Sequence, residues 1–388
     1  MAAVILNGIT WGHSRGITPL LAMSQRYTEL HPEVEIKWTK RTLQEFADFP
    51  IEDLTKKYDL LIIDHPWVGC AAATHCVLPL NEYLPADYLD DQRLHSVGGS
   101  HISYNYQNSQ WALAIDAATP AASYRKDLLA KHAVALPQTW EELIALANKG
   151  RVALPAIPID ILMNFYTFCL ASNGTLFVNH DEVTDKQTGL QALALMQQLY
   201  GLLDREMFAC NPIAVAERMS TTDDYWYCPF AYAYSNYARN GYAANLLHYA
   251  DVVSFNGVRL RTTIGGTGLS VSACSTHRQI ALHFAKLVVS GECQRTMYLQ
   301  HGGQPGHRTA WTDDAANTLT NDFFTAVLPV MDNGYTRPRY NGYLHFQDHA
   351  GTPLQQYLLN NRDPEKALTE MNRIYRESRV KQPITSIV

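Results

Sequence analysis

Three strand-like stretches, the third of them a nearly continuous apolar run, alternate with stretches of other period and constrain this chain more than any other feature. "AVILNGI" near the N-terminus, Val34 to Trp38, and Leu60 to Ile63 read as strands. Between the first two, "ITPLLAMSQRYTEL" places Ile17, Leu20, Leu21, Met23, Tyr27 and Leu30 on one face of a helix. Strands that are apolar on both faces and alternate with helices suit a parallel sheet covered on each side, hence an α/β fold. In such sheets the ligand site lies at the carboxyl ends of the strands. The residues just past those ends are Trp11, His13, Ser14 and Arg15 after the first strand, and Asp64, His65 and Trp67 after the third.

A chain of 388 residues exceeds the usual size of one core, so two lobes are expected. The second begins near Pro120, after an Ala/Thr/Pro break. Beyond it Thr139 and Glu142 have the capping-box spacing, "IDILMNFYTFCLASNG" reads as a buried helix, and "DKQTGLQALALMQQLYGL" as an amphipathic one. Tyr225, Trp226, Tyr227, Phe230, Tyr232, Tyr234, Tyr237 and Tyr242 then crowd one stretch, a half-buried strand and hairpin or the wall of a cleft. A net charge of −6 with scattered Lys and Arg recommends no nucleic-acid partner. Seven cysteines without a CxxC pair suggest neither a zinc ribbon nor a full disulfide framework. No apolar run approaches the ~20 residues that span a bilayer. The N-terminus shows no charged region followed by a long apolar one. Met1 stands where a mature chain would restart, so a periplasmic or extracellular location and a cytoplasmic one both stay open.

Four segments in order resemble the extracellular solute-binding proteins of ABC importers, the group that includes the maltose- and sugar-binding members. They are "YTELHPEVEIKW", "YDLLIIDHPWVGCAAATHCVLPLNEYL", "QWALAIDAATPAASYRKDLLAKHAVALPQTWEELIALANK" and "GGTGLSVSACSTHRQIALHFAKLVVSGECQRTMYLQHGGQPGHRTA". The resemblance implies a two-lobe periplasmic-binding-protein fold of type II-like form, each lobe a mostly parallel sheet flanked by helices. Residues 1–117 and 266–312 would form the first lobe, and 118–265 and 313–388 the second. Hinge crossings are expected near 116–120, 262–266 and 310–316. It further implies a monomer that needs no cofactor or metal, closes on a small polar solute and passes it to a membrane permease. A carbohydrate or a carboxylate-bearing derivative would suit it.

The site residues follow from the strand ends and the crossing segments. Arg15, with His13 beside the first helix N-terminus, can hold a carboxylate, a phosphate or a vicinal hydroxyl pair. Asp64 and His65 either bond ligand hydroxyls or cap the next helix, and Asp116 has a hinge role and a ligand role available. Trp11, Tyr225, Trp226 and Tyr227 can stack on sugar rings, and Gly265 and Gly266 allow backbone approach. "GHSRG" also matches the hydrolase G-x-S-x-G pattern, which makes a serine hydrolase using Ser14 one alternative. A nucleophile elbow follows several strands, whereas Ser14 follows the first, which favours a pocket-lining turn. A cytoplasmic solute sensor on the same fold is another alternative, and a metal carrier using His13, Asp64 and His65 a third.

Overall fold

The apolar runs become strands. The computed structural model describes residues 4–41, 51–360 and 363–380. In chain order the principal strands are β1 (Val4–Trp11), β2 (Val34–Arg41), β3 (Leu60–Ile63), β4 (Leu113–Ala118), β5 (Pro120–Tyr124), β6 (Tyr227–Tyr232), β7 (His248–Ala250) and β8 (Gly265–Val271). Five build one sheet in the order β2-β1-β3-β8-β4, where β1 is parallel to β2 and β3, and β8 runs against β3 and β4. All four residues of β3 and all six of β4 are buried, which is why their sequences lack alternation. Burying each such Leu or Ile contributes roughly 1.5–3 kcal/mol.

The second sheet has the order β6-β5-β7 and is antiparallel throughout these strands. That departs from the mostly parallel sheet expected there. Strand β5 leads away from the hinge, and both β6 and β7 run back toward it, Tyr232 ending opposite Pro120. The helices used below are α1 (Ser14–Leu30), α2 (Trp140–Ala147), α3 (Pro158–Ala171), α4 (Lys186–Tyr200), α5 (Pro212–Thr221) and α6 (Tyr343–Asn360). The Thr139 and Glu142 capping box at α2 is present as the spacing predicts. Helix α6 crosses α3 closely at Gly351, where a Cβ would meet the Pro158 carbonyl oxygen at 1.9 Å.

Two chain crossings lie side by side. The Thr119 and Thr262 hydroxyls are 2.8 Å apart, and Thr262 Oγ1 donates to the Pro120 carbonyl. Tyr335 adds to them, exchanging backbone hydrogen bonds of 2.8 Å with Thr262 and Ile264. Residues 310–316, where a crossing was expected, run through the short helices Arg308–Trp311 and Asp314–Leu319.

Gly265 and Gly266 belong to this hinge as packing positions. A Cβ on Gly265 would meet the Tyr232 ring at 2.5 Å. Gly266 has φ of +93°, and a Cβ there would meet the Asp116 carbonyl oxygen at 2.3 Å. Gly266→Ala is therefore expected to cost roughly 1–3 kcal/mol, through both strain and contact. Urea denaturation reads that loss directly, and an unchanged midpoint would mean that the turn relaxes freely.

Candidate ligand-binding cleft

Strand β1 delivers Trp11 and the turn before α1 to the edge of the first lobe. His13 caps α1, its Nδ1 accepting the Arg15 N–H at 3.0 Å. Burial first, and the neighbouring Arg15 charge second, push its imidazole down to about 4, so His13 is neutral at physiological pH. The indole of Trp11 stacks on His13 with centroids 5.5 Å apart. It also lies against Gly16, where a Cβ would come within 2.4 Å of Nε1.

Arg15 is the centre of this cluster and is only 3% exposed. Its Nε donates to Asp116 Oδ2 at 2.8 Å, its Nη2 to Asp116 Oδ1 at 2.5 Å, and its Nη1 to the Ala233 carbonyl at 3.1 Å. The guanidinium also lies 4.8 Å from the Tyr234 ring centroid. Burial lifts the Asp116 carboxyl above its ordinary range, with Arg15 opposing. Burial works against the Arg15 charge, but Asp116 more than restores it. The two-pronged fork is the geometry of an ion pair. The arginine read from sequence as an anion clamp thus already holds an anion, the protein's own Asp116.

Asp64 and His65 form a second cluster, held by a residue that the sequence reading missed. Both Asp64 oxygens accept from Arg337 Nη2 at 2.7 Å, and Oδ1 caps the following turn by accepting the His65 N–H at 2.8 Å. Arg337 Nη1 donates to Gln347 Oε1 at 2.7 Å. Burial would raise the Asp64 carboxyl, but the Arg337 guanidinium and His65 overcome it and hold the group far below the usual carboxylate range. His65 is fully buried and held near 4 by that burial and by Arg337, against the pull of Asp64.

Tyr225, Trp226 and Tyr227, read from sequence as stacking residues, do not join either cluster. Tyr225 Oη donates to Asp204 and Glu206, Trp226 stacks on His132 at 4.3 Å, and Tyr227 is fully buried. They lead into β6, whose first residue is Tyr227, whereas the cleft lies past its other end, ~17 Å away at ~3.4 Å per residue. The aromatic residues that reach the cleft are Tyr232, Tyr234 and Tyr242. Tyr234 packs edge-on to His13 at 4.8 Å, and Tyr232 Oη lies 2.9 Å from Thr263 Oγ1. A small pocket beside them is lined by Tyr232, Tyr234, Tyr249, Ser123 and Pro212. Asp160, in the first turn of α3, is 6% exposed and perturbs the Tyr232 and Tyr234 hydroxyls, and its Oδ2 has no partner among the described residues.

Ser14 bonds to a phenol and not to a base. Its Oγ lies 2.9 Å from Tyr242 Oη, which in turn lies 3.3 Å from His13 Nε2. The nearby carboxylate, Asp116, is engaged by Arg15 and does not orient His13. His13 and His65 sit in different clusters, and the described residues hold no group of three or more His, Cys, Asp or Glu arranged for a metal ion.

Comparison with solved structures places the architecture. A solute-binding protein of an ABC transporter from Agrobacterium radiobacter K84, in complex with ribitol, is similar with a TM-score of 0.81 and 19% identity over 96% of this chain and 98% of that one. Maltose-bound MalE3 of T. maritima gives 0.81 and 17% over 98% and 100%. The GacH receptor of Streptomyces glaucescens, known with acarbose, gives 0.79 and 18% over 99% and 100%. At such identities the likeness establishes the two-lobe fold. The family model described as bacterial extracellular solute-binding protein matches residues 22–322, more than three quarters of the sequence, and the chain belongs to that family.

Proposed function

We propose that this protein captures a neutral polyhydroxylated solute, a carbohydrate or polyol, between its lobes and delivers it to the membrane permease of an ABC importer. One observation carries the choice of a neutral solute. The charged side chains just past β1 and β3 are already neutralised, Arg15 by Asp116 and Asp64 by Arg337, and both histidines beside them are held neutral. A ligand carboxylate would have to break a buried pair, leaving an uncompensated charge, or enter without a counter-ion. Hydroxyl groups need neither. The aromatic rings of Tyr232 and Tyr234 supply faces suited to sugar C–H surfaces. The ribitol, maltose and acarbose held by the similar structures are in keeping with this class.

A thermal-shift screen tests the reading, because a solute that binds only the folded state stabilises it by RT ln(1 + [L]/Kd), about 2.7 kcal/mol at 100 times Kd. Neutral sugars or polyols are expected to raise the melting temperature, and their corresponding sugar acids to leave it unchanged. A screen in which only the acids stabilise would overturn the assignment.

A further inference from the structure

After β6 the chain passes through residues 233–242 before returning to β7, so this segment is part of the second lobe. It is bonded directly to the first lobe at several points. The Ala233 carbonyl accepts from Arg15 Nη1 at 3.1 Å and from Gln304 Nε2 at 3.2 Å. Gln304 Oε1 accepts the Ser235 N–H at 2.9 Å, while Nε2 also donates to the Ala117 carbonyl at 2.7 Å. Asn236 Nδ2 donates to the Gly302 carbonyl at 3.2 Å, and Arg239 Nη2 to the Leu299 carbonyl at 2.8 Å. At the rim stands the Ser14 and Tyr242 hydroxyl pair.

A binding protein that closes only because of its solute leaves the groups facing across the cleft to be satisfied by that solute. Here they satisfy one another. Gln304 is fully buried and bonds to both lobes at once. The seam is also imperfect in a way that permits release. Ser235 Oγ, Asn236 Oδ1 and Arg239 Nε are buried without a partner among the described residues, and each would gain water on opening.

We propose that residues 233–242 form a latch, centred on Gln304, that holds the lobes together without solute, so that the ligand-free receptor is mostly closed and solute entry waits on release. The apparent affinity for any solute is then lowered by the fraction of molecules that are open. The inference concerns lobe closure and stands whatever class of solute is bound.

Small-angle X-ray scattering of the full chain, unfolded and refolded to strip bound solute, tests it without a ligand. The wild-type curve is expected to match the closed form. Gln304→Ala removes the central amide, shifts the closed-to-open ratio about tenfold toward open, and so increases the radius of gyration. Tyr242→Phe removes the exposed rim contacts to Ser14 and His13, leaves the buried packing in place, and is expected to shift the curve the same way by less. Thermal melts of the variants confirm that they are folded. A ligand-free wild type already as extended as Gln304→Ala overturns the latch. A closed wild type that neither folded variant opens overturns it as well, and if Gln304→Ala does not fold, Tyr242→Phe and Asn236→Ala decide.

Discussion

Asp116→Ala is expected to lower the unfolding free energy by about 3–5 kcal/mol, because it strands the Arg15 guanidinium in an interior that excludes water. Arg15 would keep the Ala233 carbonyl and the face of Tyr234, neither of which carries a full negative charge. The side chains of the pair are 4% and 2% exposed, so solvent cannot take over the missing partner. Removing both charges is a different perturbation. Arg15→Met combined with Asp116→Leu is expected to recover most of the loss, since two apolar groups of similar volume need no desolvated partner. Urea denaturation of the two single variants and the double variant gives the coupling directly. If Asp116→Ala costs less than about 1 kcal/mol, water reaches the pair and the closed, dry description of this end of the cleft is wrong.

The elements that sequence made legible are those whose signal is local. Strand β3 announces itself because a strand buried on both faces is written as an uninterrupted apolar run, and the α2 cap because its two partners are three residues apart. The positions of Trp11, His13, Ser14, Arg15 and Asp64 at strand ends followed from the sheet rule. What these side chains do there did not follow. Arg15 and Asp116 are 101 residues apart, and Asp64 and Arg337 are separated by 273, so the sequence displays unpaired charges where the fold contains neutral pairs. An arginine at a helix start looks like an anion site until its counter-ion is known. The aromatic run stays undecided for a related reason: its composition says that rings are concentrated, but the pairing of β6 with β5 is what sets which end lies beside the hinge. Strand β7 has three residues, too short for any periodicity to reveal its direction.

Asp160 gives the second large effect. Burial pushes its carboxyl up to about 8, with no basic group offsetting it, and Tyr200, Cys228, Tyr232 and Tyr234 feel its charge. An ordinary Asp in the unfolded chain titrates near ~3.9. The native state therefore binds one more proton than the unfolded state between those two values, and stability falls as pH rises across that window. The stabilisation is fully present below about pH 4 and is lost by about pH 8, a ceiling of roughly 6 kcal/mol at about 1.4 kcal/mol per unit. His13 and His65, whose folded values are depressed, act with the opposite sign, since the unfolded chain takes up their protons as pH falls below ~6.5. The wild-type profile alone mixes these contributions. The difference between wild type and Asp160→Asn isolates one of them, because the amide keeps the shape and cannot ionise. Asp160→Asn is expected to be the more stable protein at pH 8, with the advantage shrinking toward pH 4. Parallel profiles for the two proteins from pH 4 to 8, measured by urea denaturation, would show that Asp160 is ionised and solvated in the native state.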